Sequence, residues 1–491
     1  MAKQHLEVER TYDVPPDSTI PAALGPAVRR DELLAVYWDT SDLALQRHRI
    51  SLRRRSGGKD AGWHLKLPAG QARLELQVLG EGDDVVPHEL SALVRAAARG
   101  AELVPVARLA TIRTVHPVLD DDGRILVEVV DDDVHAQALL SDRQLQWREW
   151  EAELVAGDTA ALDAVDVRLR AAGGQRSATP SKVGRLLQGG PVAGPVLRRS
   201  AQASEVVRAH LYAQRDELVR RDPQVRLDAP DAVHKMRVAT RRLRSALHTF
   251  RSLVDPATAA ALSDELRWLA GVLGAARDAE VMRMRLSDLL ATEPADLVVG
   301  PVVETVNQEL SGRYLVAHAQ VVQALDGQRY VDLLRALDSL VDVPGTAEAH
   351  GTARDVLPRL VRRRDRRLRK ALHAADKATD AQARDLQLHE ARKQAKATRY
   401  AAEAVQPPFT GAAQRYAATV TALQEVLGEH QDSVVTREVL RELGAASTRS
   451  GRNGFTLGRL HALEQFRAAA GSDLTEARRA FDRRRVRTWL G

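Results

Sequence analysis

The sequence predicts an α+β protein of two unlike halves: an N-terminal eight-stranded antiparallel barrel with a few helices, then a C-terminal all-α pair of repeated helical bundles. Three observations predict it. Short runs with period-two alternation crowd the first 190 residues. A Gly/Pro-rich stretch, "LQGGPVAGPVL" (187–197), then ends that pattern. Beyond it the hydrophobic period becomes helical, and two motifs recur in the same order and at nearly the same spacing.

The strand candidates are "HLEVERTYDV", "YWDT", "RISLRRR", "WHLKLP", "RLELQVL", "RTVHPVL", "RILVEVVDD" and "WREWEAELV", separated by turn clusters such as "SGGKDAG" and "DDDG". About eight short strands suit a closed antiparallel barrel, which leaves no exposed edge. Helices are expected at "PHELSALVRAAARG" and "TAALDAVDVRLRAAG". The domain boundaries expected are 1–190, a linker at 187–200, and 201–491, in keeping with a chain of 491 residues.

Composition narrows the chemistry. No cysteine is present, which excludes disulfides, thiolate metal sites and a cysteine nucleophile, and fits a reducing compartment. The N-terminal residues lack the apolar core of a secretory signal and no 18-residue apolar run occurs, so a cytoplasmic protein without a membrane partner is expected. Residues 1–190 carry 24 Lys+Arg against 29 Asp+Glu, whereas the remainder carries 48 against 37. A net −5 half joined to a net +11 half implies two jobs, the second one attractive to a polyanion.

Alternation places charges of both signs on one face of many strands. Glu7 and Glu9 share a face, as do Arg53 with Arg55, His64 with Lys66, Arg73 with Glu75 and Gln77, and Glu149 with Glu151 and Glu153. Water-facing charge explains one such strand. Six in succession point instead to a wet, charged lumen. There Arg53, Arg55, Lys66, Arg73 and Arg113 would grip a small dense anion. Glu7, Glu9, Glu128, Glu151 and Glu153 would repel it unless a divalent cation intervened, and hard oxygen ligands suit Mg²⁺ or Mn²⁺. Anion, metal and basic clamp together are the requirements of phosphoryl transfer.

The elements "EVER", "YWDTSDLALQRHRISLRRRSGG", "WHLKLP", "RLE", "VEVVDD", "WREWEAEL" and "SATPSK", in that order, resemble a CYTH domain over residues 1–190. The resemblance implies a triphosphate tunnel metalloenzyme fold and a triphosphatase, thiamine triphosphatase or adenylate cyclase activity. It implies Glu7 and Glu9 as the catalytic, metal-holding glutamates of an ExExK motif, with Glu128, Glu151 and Glu153 as further acidic tunnel residues. It also implies Arg53, Arg55, Lys66, Arg113 and Lys182 as phosphate contacts. The motif lysine is absent: Thr11 stands there, and the adjacent Arg10 points to the opposite face. That departure sets a hydrolase of tripolyphosphate against a non-catalytic binder.

The helical repeat consists of "VHKMRVATRRLRSAL" (233–247) with "LGAARDAEV" (273–281), and "LHEARKQAKATRYAA" (388–402) with "LGEHQDSVV" (427–435). From His234, Arg237, Arg241 and Arg244 follow at +3, +7 and +10, one narrow helix face. His389, Arg392, Lys396 and Arg399 repeat those offsets. Met236, Leu243, Leu247 and Phe250 lie opposite and should face a core. Asp231 and Asp385 are expected as N-caps, which would place each histidine in a first helical turn. The basic runs 359–370 and 478–487 would extend the patch. Neither histidine has an i, i+4 partner, which argues against zinc. Aromatics are only 4%, which argues against a nucleic-acid partner.

This half resembles the CHAD domain over about 200–490. The resemblance implies inorganic polyphosphate as partner, an association with polyphosphate granules, and contacts from His234, Arg237, Arg241, Arg242, Arg244, His389, Arg392, Lys393, Lys396 and Arg399. In the second copy Gln431 stands where the first has Arg277, and His430 is either a third imidazole of the groove or plain surface.

Overall fold

A computed structural model describes residues 3–70, 72–80, 84–179, 181–188, 197–198, 200–340, 347–409, 411–469 and 473–491. The chain divides into two compact units, 1–193 and 194–491. Most of the Gly/Pro-rich stretch read as the linker lies outside the described residues.

The first unit is built on one antiparallel sheet. Its strands are β1 (Lys3–Glu7), β2 (Glu9–Asp13), β3 (Arg29–Asp39), β4 (Ser51–Ser56), β5 (Gly62–Ala69), β6 (Ala72–Leu79), β7 (Val104–Leu119), β8 (Ile125–Ala138), β9 (Gln144–Leu154) and β10 (Gln175–Arg176). Their order is β1-β6-β5-β4-β3-β7-β8-β9-β2-β10. Ten strands rather than eight are seen because the first run breaks at Val8, and because β10 adds a two-residue pairing to β2. The break closes the sheet: β1 pairs with β6 and β2 with β9, so one nearly continuous segment bridges both ends.

The alternation read from sequence decides what each face meets. Val127, Val129, Trp150 and Tyr12 point outward and pack with Leu162, Val165 and Leu169 of a helix at Thr159–Ala171. That helix is α3, after α1 (Ala44–Arg47) and α2 (His88–Ala98). A further helix, α4 (Lys182–Leu187), follows β10. α1 and α4 have four and six residues, too few to show a helical period. Val183 and Leu186 of α4 join Ala35, Leu109, Val134 and Ala136, which occupy the inward register of β3, β7 and β8. The barrel interior is therefore apolar where α4 packs, and α4 delivers its first residue, Lys182, to the charged region.

The second unit is helical. Its first copy comprises α5 (Ala203–Arg226), α6 (Ala232–Thr249), α7 (Pro256–Ala291), α8 (Val302–Asp326) and α9 (Gln328–Leu340). Its second comprises α10 (Ala353–Asp376), α11 (Ala381–Ala404), α12 (Ala412–Arg449) and α13 (Phe455–Ala469), followed by α14 (Asp473–Asp482) and α15 (Arg484–Arg487). Equivalent helices meet across the repeat, α5 with α10 and α6 with α11. Met236, Leu243, Leu247 and Phe250 are buried, as the period required. Among the described residues no helix is long and apolar enough to cross a membrane.

One capping expectation fails. α11 begins at Ala381, and Asp380 caps it by accepting the Ala383 amide at 2.7 Å. Asp385 is thus inside the helix, and His389 lies beyond its second turn. Asp231 occupies the N-cap position of α6 but makes no capping bond through its side chain.

Candidate functional site

A cavity of about 620 Å³ occupies the barrel, lined by charges from nine of the strands and by Lys182. Register explains the grouping. Glu128 on β8 pairs with Glu153 on β9, which pairs with Glu9 on β2, so three glutamates line up across three neighbouring strands. Glu7 pairs with Arg73, and Lys66 with Glu75, on the β1-β6-β5 side. Tyr37, Arg53 and His64 line up across β3, β4 and β5.

The acids fall into two sets. In the first, Asp132, Glu149 and Glu151 bring carboxylate oxygens within 4.8 Å of one another. Cations already fill that space. Lys182 Nζ lies 2.5 Å from Glu151, 2.7 Å from Glu149 and 3.0 Å from Asp132. Arg113 grips Asp132 with two bonds of 2.8 and 2.6 Å and reaches Glu151 at 2.7 Å. Burial alone would raise Glu151, but Lys182 and Arg113 hold it well below the usual carboxylate range.

The second set, Glu7, Glu9, Glu128 and Glu153, has too few cations. Lys66 is 2.6 Å from Glu7 and 3.7 Å from Glu9, and Lys59 is 3.9 Å from Glu128. Among the described residues Glu153 forms no ion pair or hydrogen bond, and the buried Glu7 Oε2 has no partner. Burial, Glu151 and Glu7 push Glu9 up to about 7 against the pull of Lys66. Burial, Glu7 and Glu9 do the same to Glu153. Unpaired oxygens on mutually repelling carboxylates are what a divalent cation relieves, so this set fits Mg²⁺ or Mn²⁺.

The basic wall lies opposite in charge. Arg53 donates to Tyr37 Oη at 3.3 Å and sits 3.9 Å from Glu75. Arg55 pairs with Asp60, and burial, Arg53 and Arg113 push it down to about 9. Arg73 lines the cavity and donates to the Arg49 carbonyl at 3.1 Å. His64 does not face the cavity chemistry: it joins Glu75 at 2.9 Å and the Asp60 carbonyl at 2.8 Å, and burial pushes it down to about 4. Glu75 and Asp132 were not singled out from sequence. Glu75 shares the alternation that exposed Arg73. Asp132 hides in "DDD", where Asp131 turns outward to Arg148. Arg10 lies outside the lumen, bound to the Leu162 carbonyl at 3.2 Å and to Asp163. Thr11 is buried, opposite Glu151 in register, with its Oγ1 unpartnered.

In the helical unit α6 and α11 bring Arg237, Arg241, Arg392 and Lys396 together. Burial and the three arginines push Lys396 down to about 7. Arg237 reaches Asp278 at 3.3 Å and Arg392 reaches Asp432 at 2.9 Å, so the repeat extends to the partners. The glycine of each "LG" motif lies beneath one guanidinium: a Cβ on Gly274 would sit 3.6 Å from Arg237, and one on Gly428 3.8 Å from Arg392. His389 bonds Gln431 at 2.7 Å, whereas burial and Arg277 lower His234. His430 is pinned to Asp385 at 2.8 Å. Arg244 is exposed beside Arg241 and Arg267. Three further expected contacts are engaged by glutamates. Arg242 and Arg399 both bind Glu403, at 2.8 and 3.2 Å, and the exposed Lys393 pairs with Glu390 at 3.1 Å.

Fold and site together define a charged antiparallel tunnel joined to a duplicated helical unit with a basic face. The family models agree. The CYTH domain matches residues 5–186 and the CHAD domain residues 209–441, and the chain belongs to the proteins that carry these two domains in that order. Two uncharacterized proteins of Mycobacterium tuberculosis, from strains CDC 1551 / Oshkosh and H37Rv, are each 39% identical over 488 residues, covering 94% of this chain and 93% of theirs. Among solved structures, the CHAD domain from the plant Ricinus communis is 26% identical, with a TM-score of 0.46, covering 58% of this chain and 94% of that one.

Proposed function

We propose that the tunnel unit hydrolyses inorganic tripolyphosphate or a related triphosphate with Mg²⁺ or Mn²⁺, and that the helical unit binds inorganic polyphosphate. The observation that carries the reading is the lumen itself. One wall is basic, and the other holds carboxylates with too few cations. Arg53, Arg55, Lys66, Arg73, Arg113 and Lys182 would take the phosphate oxygens, exchanging their present carboxylate partners for the substrate. Glu7, Glu9, Glu128, Glu151 and Glu153 would hold the ion. A bound Mg²⁺ or Mn²⁺ supplies Lewis-acid polarisation and a more acidic water. The apolar packing of α4 excludes bulk water from one end of the interior, which strengthens every charge interaction there.

Thr11 supports a second reading, a polyphosphate adaptor whose tunnel binds without turnover. No basic group stands at that position to orient a water. Phosphate release from tripolyphosphate by the full-length protein, with Mg²⁺, Mn²⁺ or EDTA, beside Glu7→Ala/Glu9→Ala, decides between them. Metal-dependent release lost in the double variant supports the hydrolase. Binding of tripolyphosphate without release above the variant's background supports the adaptor.

A further inference from the structure

The basic face of α6 continues past the central cluster. Arg237, Arg241, Arg244 and His248 follow at helical spacing, and about 16 Å of helix separates the first from the last at 1.5 Å per residue. At its far end α6 meets α10 and the short turn Arg251–Leu253. Arg364 of α10 is buried there, 6% exposed. Among the described residues its one hydrogen bond runs from Nε to Thr249 Oγ1 at 2.9 Å. Arg367 Nη1 lies 3.4 Å from His248 Nε2. Among the described residues none of His248, Arg251, Arg364 and Arg367 has an ion pair with a carboxylate. Burial, Arg367 and Arg251 push Arg364 down to about 10, with no acid offsetting them.

Among the described residues, acids hold the other buried arginine of the unit, Arg215, and also the half-buried Arg226 and Arg285. Arg226 has Asp222 and Asp326, Arg215 has Asp216 and Asp338, and Arg285 has Glu429 and Glu464. A buried guanidinium without an anion is unfavourable, so its retention points to an anion that comes from outside the chain. The repeat supplies an internal control. The residue 155 positions after His248 is Glu403, which binds both Arg242 and Arg399. The same position thus carries an acid at the end of α11 and a histidine, beside Arg367, at the end of α6.

We propose that Arg364, with Arg367, His248 and Arg251, forms an anion pocket that holds a phosphoryl group of the polyphosphate chain beyond the central cluster, so that the chain lies along α6 and not along α11. The guanidinium fork suits a phosphate bidentately. The proposal rests on the polyphosphate reading of the helical unit.

The test titrates full-length protein with long-chain inorganic polyphosphate across a salt series, for wild type, Arg364→Gln, Arg367→Gln, Glu403→Gln and Arg237→Gln/Arg392→Gln. Arg364→Gln should weaken binding about tenfold and flatten the slope of log affinity against log salt by about one. It should leave the thermal midpoint without polyphosphate unchanged or higher, since it removes a buried unpaired charge. Arg367→Gln, at an exposed site, should weaken binding several-fold and so decides the matter if Arg364→Gln folds poorly. Glu403→Gln should tighten binding by freeing two arginines. Wild-type affinity and slope in both pocket variants, with loss in the central variant, overturns the pocket and spares the polyphosphate reading. No binding by wild type overturns both. Duplex DNA bound as tightly, with the same losses, overturns polyphosphate as the occupant.

Discussion

Raising the pH from 7 to 9 should weaken polyphosphate binding about fiftyfold through Lys396 alone. Burial and the guanidinium groups of Arg392, Arg241 and Arg237 push this amine from its usual 10.5 down to about 7. A bound polyanion reverses the repulsion and requires the ammonium form. Above pH 7 each unit then costs about tenfold in affinity, because a proton must be taken up with the ligand. Comparison with Lys396→Met isolates the lysine from every other group that titrates in this window. The stability of the free protein moves the other way. Between about pH 7 and 10.5 the unfolded chain holds a proton at this position that the folded chain does not, so stability rises with pH. Titration calorimetry at pH 8 in buffers of different ionisation enthalpy counts the protons taken up. About one proton more in the wild type than in Lys396→Met is the expected result. Equal uptake in both proteins, or affinity flat from pH 7 to 9, would refute the reasoning.

Three further outcomes follow from the tunnel. Glu153, raised to about 7, is protonated in the folded state where the unfolded chain is ionised, so its contribution to stability falls as pH rises from about 4.5 to 7. The thermal midpoint of Glu153→Gln should therefore overtake that of wild type across this range, and Mg²⁺ should raise the wild-type midpoint more at pH 8 than at pH 5. Thr11→Lys should increase metal-dependent phosphate release at least tenfold, since a positioned proton-transfer group contributes 10²–10⁴-fold, on the order seen in general catalysis; an unchanged rate counts against that role for the position. Trp150→Ala should destabilise the first unit by about 3–5 kcal/mol in denaturant titration, because the indole is fully buried between the sheet and α3.

What was legible from sequence depended on whether a feature is periodic. Alternation placed Glu7, Glu9, Arg53, Arg55, Lys66, Glu151 and Glu153 on inward faces before any strand order was known. It could not say which acid meets which cation, because that is set by register: Asp132 joins Arg113 only once β7 and β8 are paired. The repeat exposed the α6 and α11 stripe, yet the offsets that include Arg399 could not show that it shares Glu403 with Arg242, because that acid enters only when the two helices pack. Helix starts were misread at α11 because two aspartates, Asp380 and Asp385, were both available as caps, and only backbone geometry distinguishes them. The split of the first strand at Val8 has no signature in the alternation, which runs through it unbroken.

That split has a consequence for biosynthesis. Residues 3–13 leave the ribosome long before their partner on β9, for Glu9 pairs with Glu153, 144 positions further on, and β10 joins Tyr12 and Asp13 later still. At 5–20 residues per second the segment waits about 7–30 s for β9. Until then the exposed backbone of β2 is an unpaired edge, and Glu7 and Glu9 have no lumen to face. The chemistry of the tunnel and the closure of its wall are thus completed in one late event, on a segment that a nascent-chain chaperone or a misdirected strand has ample time to reach.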